Sequence, residues 1–155
     1  MRTKGFTLIE LLVTLALIAL FATIALPMAE LTVKRNREVE LRSALHQIRD
    51  ALDAYKQAVD EGRIVSHPGD SGYPKSLLTL VEGVEDAKSP MRSKINFLRR
   101  IPRDPLAELD LKPEDSWGKR SYKSPYDHPQ PGDDVYDVYS LSEEIGINGI
   151  PYKEW

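Results

Sequence analysis

The sequence predicts an α+β protein: a long N-terminal helix whose first half crosses a membrane, with its second half packed on a small head built around an antiparallel sheet. Three observations predict it. Leu11 to Met28 carries no ionisable side chain. Leu41, Leu45, Ile48, Leu52, Tyr55 and Val59 then recur at steps of three and four, the period of one helix face. The last third changes to short β-branched and aromatic stretches separated by Pro- and Gly-containing turns.

Taking the elements in order, Arg2 and Lys4 precede the apolar run, and Glu10 is the lone ionisable residue between them and its end. A helix over residues 6–28 would be about 35 Å long, enough to cross a hydrocarbon core of about 30 Å. The basic flank favours leaving the N-terminus in the cytoplasm and the remainder on the opposite side. A secretory signal has its small-residue cleavage site beyond the apolar region, whereas here Gly5 stands before it. Cutting after Gly5 would remove the charged leader and keep the span. Glu10 needs a partner, because a carboxylate within an apolar helix costs about 2.5 to 3.5 kcal/mol on insertion scales. Cleavage at Gly5 would create one, the α-amino group of Phe6, in the same chain or a neighbour. Pro27 removes a backbone donor near the far end of the run and would loosen or kink the helix there.

Gly5, Phe6, Thr7, Leu8, Ile9 and Glu10, followed by an apolar run and Pro27, resemble the N-terminus of a type IV prepilin or a type II secretion pseudopilin. The resemblance implies a pilin-like fold, cleavage between Gly5 and Phe6 by a prepilin peptidase, N-methylation of Phe6, and a role for Glu10 in recruiting subunits into a helical filament. A plain single-span anchor with Glu10 snorkelling to the interface is the alternative, but it accounts for neither Gly5, Phe6 nor Pro27.

Four segments are expected: a cytoplasmic leader over 1–5, a transmembrane and assembly helix over 6–28, its extracytoplasmic continuation over 29–61, and a globular head over 62–155. The chain has 155 residues, so the part beyond Met28 suits one compact domain. Its formal net charge is -3; residues 1–28 contribute +1 (Arg2 and Lys4 against Glu10), which leaves -4 beyond them. An acidic head argues against a nucleic-acid partner. With no cysteine, neither a disulfide nor thiol chemistry is available.

Between Glu30 and Arg42 the helix is expected to continue in solvent, with Glu30–Lys34 and Glu38–Arg42 at the supporting i,i+4 spacing. One helix to Glu61 would span about 84 Å, with Gly62 as its C-cap; two helices broken between Pro27 and Lys34 are the alternative. Arg63 to Tyr73 reads as a loop, and Pro74 as the first position of a short leucine-rich helix ended by Gly83. Prolines 90, 102, 105 and 113 exclude a long regular element. His46 and His67 lack a second histidine at ligand spacing. Arg99, Arg100 and Arg103 form a basic cluster beside Asp104 and Glu108, for which packing and salt bridges are favoured over nucleic acid or acidic lipid. Residues 117–122 read as a turn leading into a strand and 135–141 as a strand, with a third near 97–101. The cluster Asp133, Asp134 and Asp137 reads as a solvated loop end, and the large aromatics Tyr152 and Trp155 predict that the last residues dock back on the head.

These later stretches extend the resemblance. Tyr73-Pro74 with its leucine-rich helix, Leu98 to Pro105, Trp117-Gly118, Tyr136 to Leu141 and a final Trp155 are similar in kind and order to the major pseudopilin of type II secretion. The resemblance implies a subunit of a periplasmic pseudopilus that drives protein export. It would be single-pass in the bacterial inner membrane, with its C-terminal domain in the periplasm. Its partners would be further copies of itself, the prepilin peptidase, the assembly platform and minor pseudopilins. A type IV pilus subunit is the second reading, and a sensory or enzymatic domain on an anchor the third. In the family the final loop holds a structural calcium. Here that loop offers Glu143, Glu144, Asn148, Ser142 and main-chain carbonyls, against the six to eight oxygens calcium takes; a turn closed by Ile and Tyr packing is preferred. No nucleophile elbow, phosphate-cradling loop or metal-binding histidine pair points to an enzyme.

Overall fold

In the computed structural model, which describes Gly5 and residues 7–155, the fold is α+β and pilin-like, with small antiparallel sheets in a C-terminal head. Helix α1 spans Leu8–Asp60 and contains Pro27 without ending there, so the two-helix alternative does not hold. The chain divides into two compact units, Met1–Asn36 and Arg37–Trp155.

Within the first unit the described large apolar side chains of α1 are exposed, from Leu8 at 78% through Phe21 at 70% to Val33 at 53%. Its threonines are satisfied locally: the hydroxyls of Thr14, Thr23 and Thr32 donate to the carbonyls of Leu11, Leu20 and Met28 at 2.9, 2.7 and 2.9 Å. Closing each hydroxyl on its own helix keeps a polar group compatible with an apolar surrounding.

The second unit is built on the apolar stripe of α1. Leu41, Leu45, Ile48 and Leu52 are buried as their spacing predicts, and Tyr55 packs against the cluster from its edge. Val59 is half-buried outside that cluster, and Ala58 beside it is buried instead. Each fully buried leucine or isoleucine is worth about 1.5 to 3 kcal/mol relative to exposure. The helix ends in a Schellman turn: Gly62, at φ 69°, donates to Val59 at 2.8 Å and Arg63 donates to Ala58 at 2.9 Å.

Helix α2, Leu77–Glu82, supplies Leu77 and Leu80 to the core. It begins after Ser76 and not at Pro74. The Pro74 carbonyl accepts from Val135 at 2.8 Å, which commits that residue to the sheet side of the core. Gly83 closes α2 at φ 75°, as expected. Strands β1, Val84–Glu85, and β2, Lys94–Ile95, pair as a small antiparallel ribbon. The expected third strand does not extend over 97–101, since the amides of Phe97 and Leu98 both donate to the Leu80 carbonyl at 2.9 Å, which caps α2 and leaves no ladder beyond β2.

Strands β3, Trp117–Arg120, and β4, Asp137–Ser140, are antiparallel with Trp117 opposite Ser140 and Gly118 opposite Tyr139. Strand β3 begins at Trp117 itself, where the sequence predicts a turn, and ends at Arg120 because Ser121 turns to bond Gln130; β4 is shorter than the predicted 135–141 because Val135 bonds Pro74. A Cβ at Gly118 would run into the Tyr139 ring, so the cross-strand pair requires glycine. Trp117 and Val138 cover the stripe of α1.

Candidate functional site

Two places combine polar chemistry with exposed or docked apolar surface. The first is the start of α1. Thr7 and Glu10 form a reciprocal capping box: the Thr7 amide donates to Glu10 Oε2 at 3.4 Å, and the Glu10 amide donates to Thr7 Oγ1 at 3.3 Å. The sequence reading missed Thr7, although a Thr followed three residues later by Glu ahead of an apolar run is the signature of this cap. A Cβ added at Gly5 would meet open space. Phe6, the residue for which the resemblance implies cleavage and N-methylation, lies outside the described residues, as do residues 1–4.

From this cap onward α1 is long and apolar enough to cross a membrane, and among the described residues none of its most apolar 18-residue window is buried. The arrangement fits lateral association in a bilayer: an apolar surface, self-satisfied threonines, and one carboxylate held at the end of the helix.

The second place is where the last residues meet α1. Glu38 is 6% exposed, and its Oε1 accepts from the Ile147 amide at 2.6 Å and the Tyr152 hydroxyl at 3.0 Å. Burial and the Glu38 carboxylate push the Tyr152 hydroxyl up to about 12. The Arg42 guanidinium lies 4.4 Å from the centre of the Trp155 ring. Arg49 donates to Asp137 Oδ1 and to the Trp155 main-chain oxygen, each at 2.8 Å. The predicted docking of Tyr152 and Trp155 is therefore observed, with their rings edge to face at 5.0 Å. Glu38 and Arg42 are not a solvated i,i+4 pair, since both turn to the docked tail.

The acidic residues at 133–137 separate. Asp133 is exposed, Asp137 pairs with Arg49, and Asp134 is buried, accepting from Ser121 Oγ at 2.6 Å and from the Tyr122 amide at 2.9 Å. Burial pushes the Asp134 carboxyl up, but bonds from Ser121, Ser71 and Tyr122 outweigh it and hold the group below the usual range. Arg103 donates to the main-chain oxygens of Leu111 and Glu108, so within the basic cluster it braces a loop. His46 and His67 are exposed.

The residues of the implied calcium loop do not fit that ion. Glu143 and Glu144 are exposed, and Asn148 Oδ1 accepts from the Ile150 amide at 3.1 Å. The Glu144 carbonyl accepts from the Tyr152 amide at 3.1 Å. Among the described residues no group of three or more His, Cys, Asp or Glu is placed to hold a metal.

Residues 1–26 match the family model described as Prokaryotic N-terminal methylation motif. No curated protein and no solved structure matches the chain. The motif and the exposed apolar helix define a prepilin-like, type IV pilin-like N-terminus. Such a motif implies processing by a prepilin peptidase and pilus-like polymerisation, and the helix is consistent with membrane anchoring.

Proposed function

We propose that this chain is a structural subunit of the periplasmic pseudopilus of the type II secretion pathway. The observation that supports this choice within the pilin-like class lies in the head. Stretches that carry the sequence resemblance but are far apart in the chain meet there: Trp117 Nε1 donates to the Pro102 carbonyl at 2.8 Å, and Ser140 Oγ donates to Asp104 Oδ2 at 2.6 Å. Asp104 and Ser140 are 1% and 0% exposed, and the Asp104 amide donates to Ser116 Oγ at 3.2 Å. A buried carboxylate met by a hydroxyl donor fixes one arrangement of these stretches, because an unpartnered one would be costly.

In this reading a prepilin peptidase cuts between Gly5 and Phe6 and Phe6 is methylated. The span over 6–28 then holds the subunit in the bacterial inner membrane, with Glu10 awaiting a neighbour's N-terminus and Pro27 loosening the helix near its periplasmic end. An assembly platform adds subunits through their helices, minor pseudopilins complete the filament, and its growth pushes folded cargo outward. The role is mechanical, with no catalytic residue.

Deletion of the chain in its host, scored in parallel for exported proteins and for surface filaments or twitching, tests the assignment. Lost export with filaments intact is expected. Lost filaments with export intact would instead identify a type IV pilus subunit.

A further inference from the structure

The polarity of the C-terminal loop is the reverse of a cation site. A calcium site gathers oxygen acceptors around a point, with carboxylates contributed by the loop itself. Here two donors converge, the Ile147 amide and the Tyr152 hydroxyl, and the point on which they converge is a carboxylate oxygen that α1 supplies. Converging N–H and O–H groups repel a cation and suit an anion.

We propose that Glu38 does in this chain what the resemblance to the major pseudopilins implies for a loop calcium: it closes the segment 144–155 onto α1, so that the head folds and assembles without a divalent ion. The comparison with a loop calcium rests on the pseudopilin reading, whereas closure of the segment by Glu38 is read from the head alone and is tested without reference to the filament.

Three further observations support it. Three of the loop's oxygens are committed within the loop, Asn148 Oδ1 to the Ile150 amide, the Glu144 carbonyl to the Tyr152 amide, and the Ile150 carbonyl to the Gly146 amide at 2.9 Å, while Glu143 and Glu144 are exposed. Gly146 is buried so tightly that a Cβ there would stand 2.6 Å from both Asn148 Oδ1 and the Trp155 ring, so the inner side of the loop is filled by its own atoms. The face of α1 that bears Glu38 also bears Arg42 and Arg49, which hold the Trp155 ring and main-chain oxygen. A charge-assisted bond to a buried carboxylate is among the stronger single contacts available to such a short segment.

The test uses the full-length chain in detergent, with amide hydrogen exchange and the thermal midpoint as readouts. For the wild type, both are expected to be the same in EGTA and in millimolar calcium. Glu38→Ala is expected to speed exchange at Ile147 about tenfold or more while Gly118 in β3 keeps its protection. Glu38→Gln, which retains an acceptor oxygen, falls between, and calcium rescues neither variant. Should Glu38→Ala fail to fold, Tyr152→Phe removes one of the two bonds and is expected to speed Ile147 exchange about threefold. A wild-type midpoint that rises with calcium and falls with EGTA overturns the proposal, as does unchanged Ile147 exchange in the folded variants.

Discussion

Thr7 and Glu10 cap each other at the start of α1, each main-chain amide donating to the other's side chain. The carboxylate implied in assembly thus has a partner in its own chain before any neighbour arrives. Under the proposed assembly role, a neighbour's positive charge would have to draw Glu10 away from Thr7 or share it.

Replacing Glu10 separates the cap from the charge. Glu10→Gln keeps an acceptor for the Thr7 amide, whereas Glu10→Ala loses it at a cost of about 0.5 to 2 kcal/mol to the helix end. Both variants should insert and be processed, and both should form filaments at less than about a tenth of the wild-type yield. Filament yield after shearing checks this; normal yield from Glu10→Gln would remove the charge from the mechanism.

Gly5 has room for a side chain, so its replacement should leave the fold untouched and act on processing alone. Gly5→Ala is expected to leave unprocessed precursor in the membrane. Mass analysis of the N-terminus checks it: a chain still beginning at methylated Phe6 would place the recognition elsewhere.

Asp86 gives the head an acid-sensitive contact. Bonds from Arg63 at 3.1 and 2.7 Å hold its carboxyl below the usual range, against an opposing push from burial, with the Lys88 amide adding a donor. A carboxylate with a depressed value contributes stability above its unfolded value, near pH 4, and loses it as pH falls through the folded one. Thermal midpoints between pH 6 and 2 should therefore fall less steeply in Asp86→Asn than in the wild type. An identical slope would mean that the pair contributes nothing.

Gly118→Ala places a methyl group against the Tyr139 ring and should cost about 1 to 3 kcal/mol through strain in β3 and β4. Pairing it with Tyr139→Ala should recover part of the loss, read as the urea midpoint. Full additivity of the two changes would show that the contact is relaxed at no cost.

The features legible in the sequence were those with a period or a fixed spacing. The apolar stripe from Leu41 to Leu52 follows from 3.6 residues per turn, and Gly62 and Gly83 announce their helix ends through the positive φ each supplies. The candidate cleavage and assembly residues Gly5, Phe6 and Glu10 are legible because they stand at set distances before an apolar run. Contacts across long separations were not. Glu38 reads as one of several charges on a solvated helix, and only its bonds to Ile147 and Tyr152, 109 and 114 residues away, turn it inward. The expected strand near 97–101 failed for a similar reason, since the Leu80 carbonyl competes for the amides a ladder would use. Asp134 was misread because its partners Ser121 and Tyr122 sit on the far side of a proline-rich loop.

The docked tail also bears on how the head carries load. The chain leaves α1 for the rest of the head once, at the Schellman turn around Gly62, so a pull along the helix could reach the head through that single covalent crossing. Glu38, Arg42 and Arg49 give it a second route that begins more than twenty residues closer to the puller. Under the proposed mechanical role, tension along α1 would divide among the covalent crossing at Gly62, the side-chain grips at Glu38, Arg42 and Arg49, and the buried stripe packed between them.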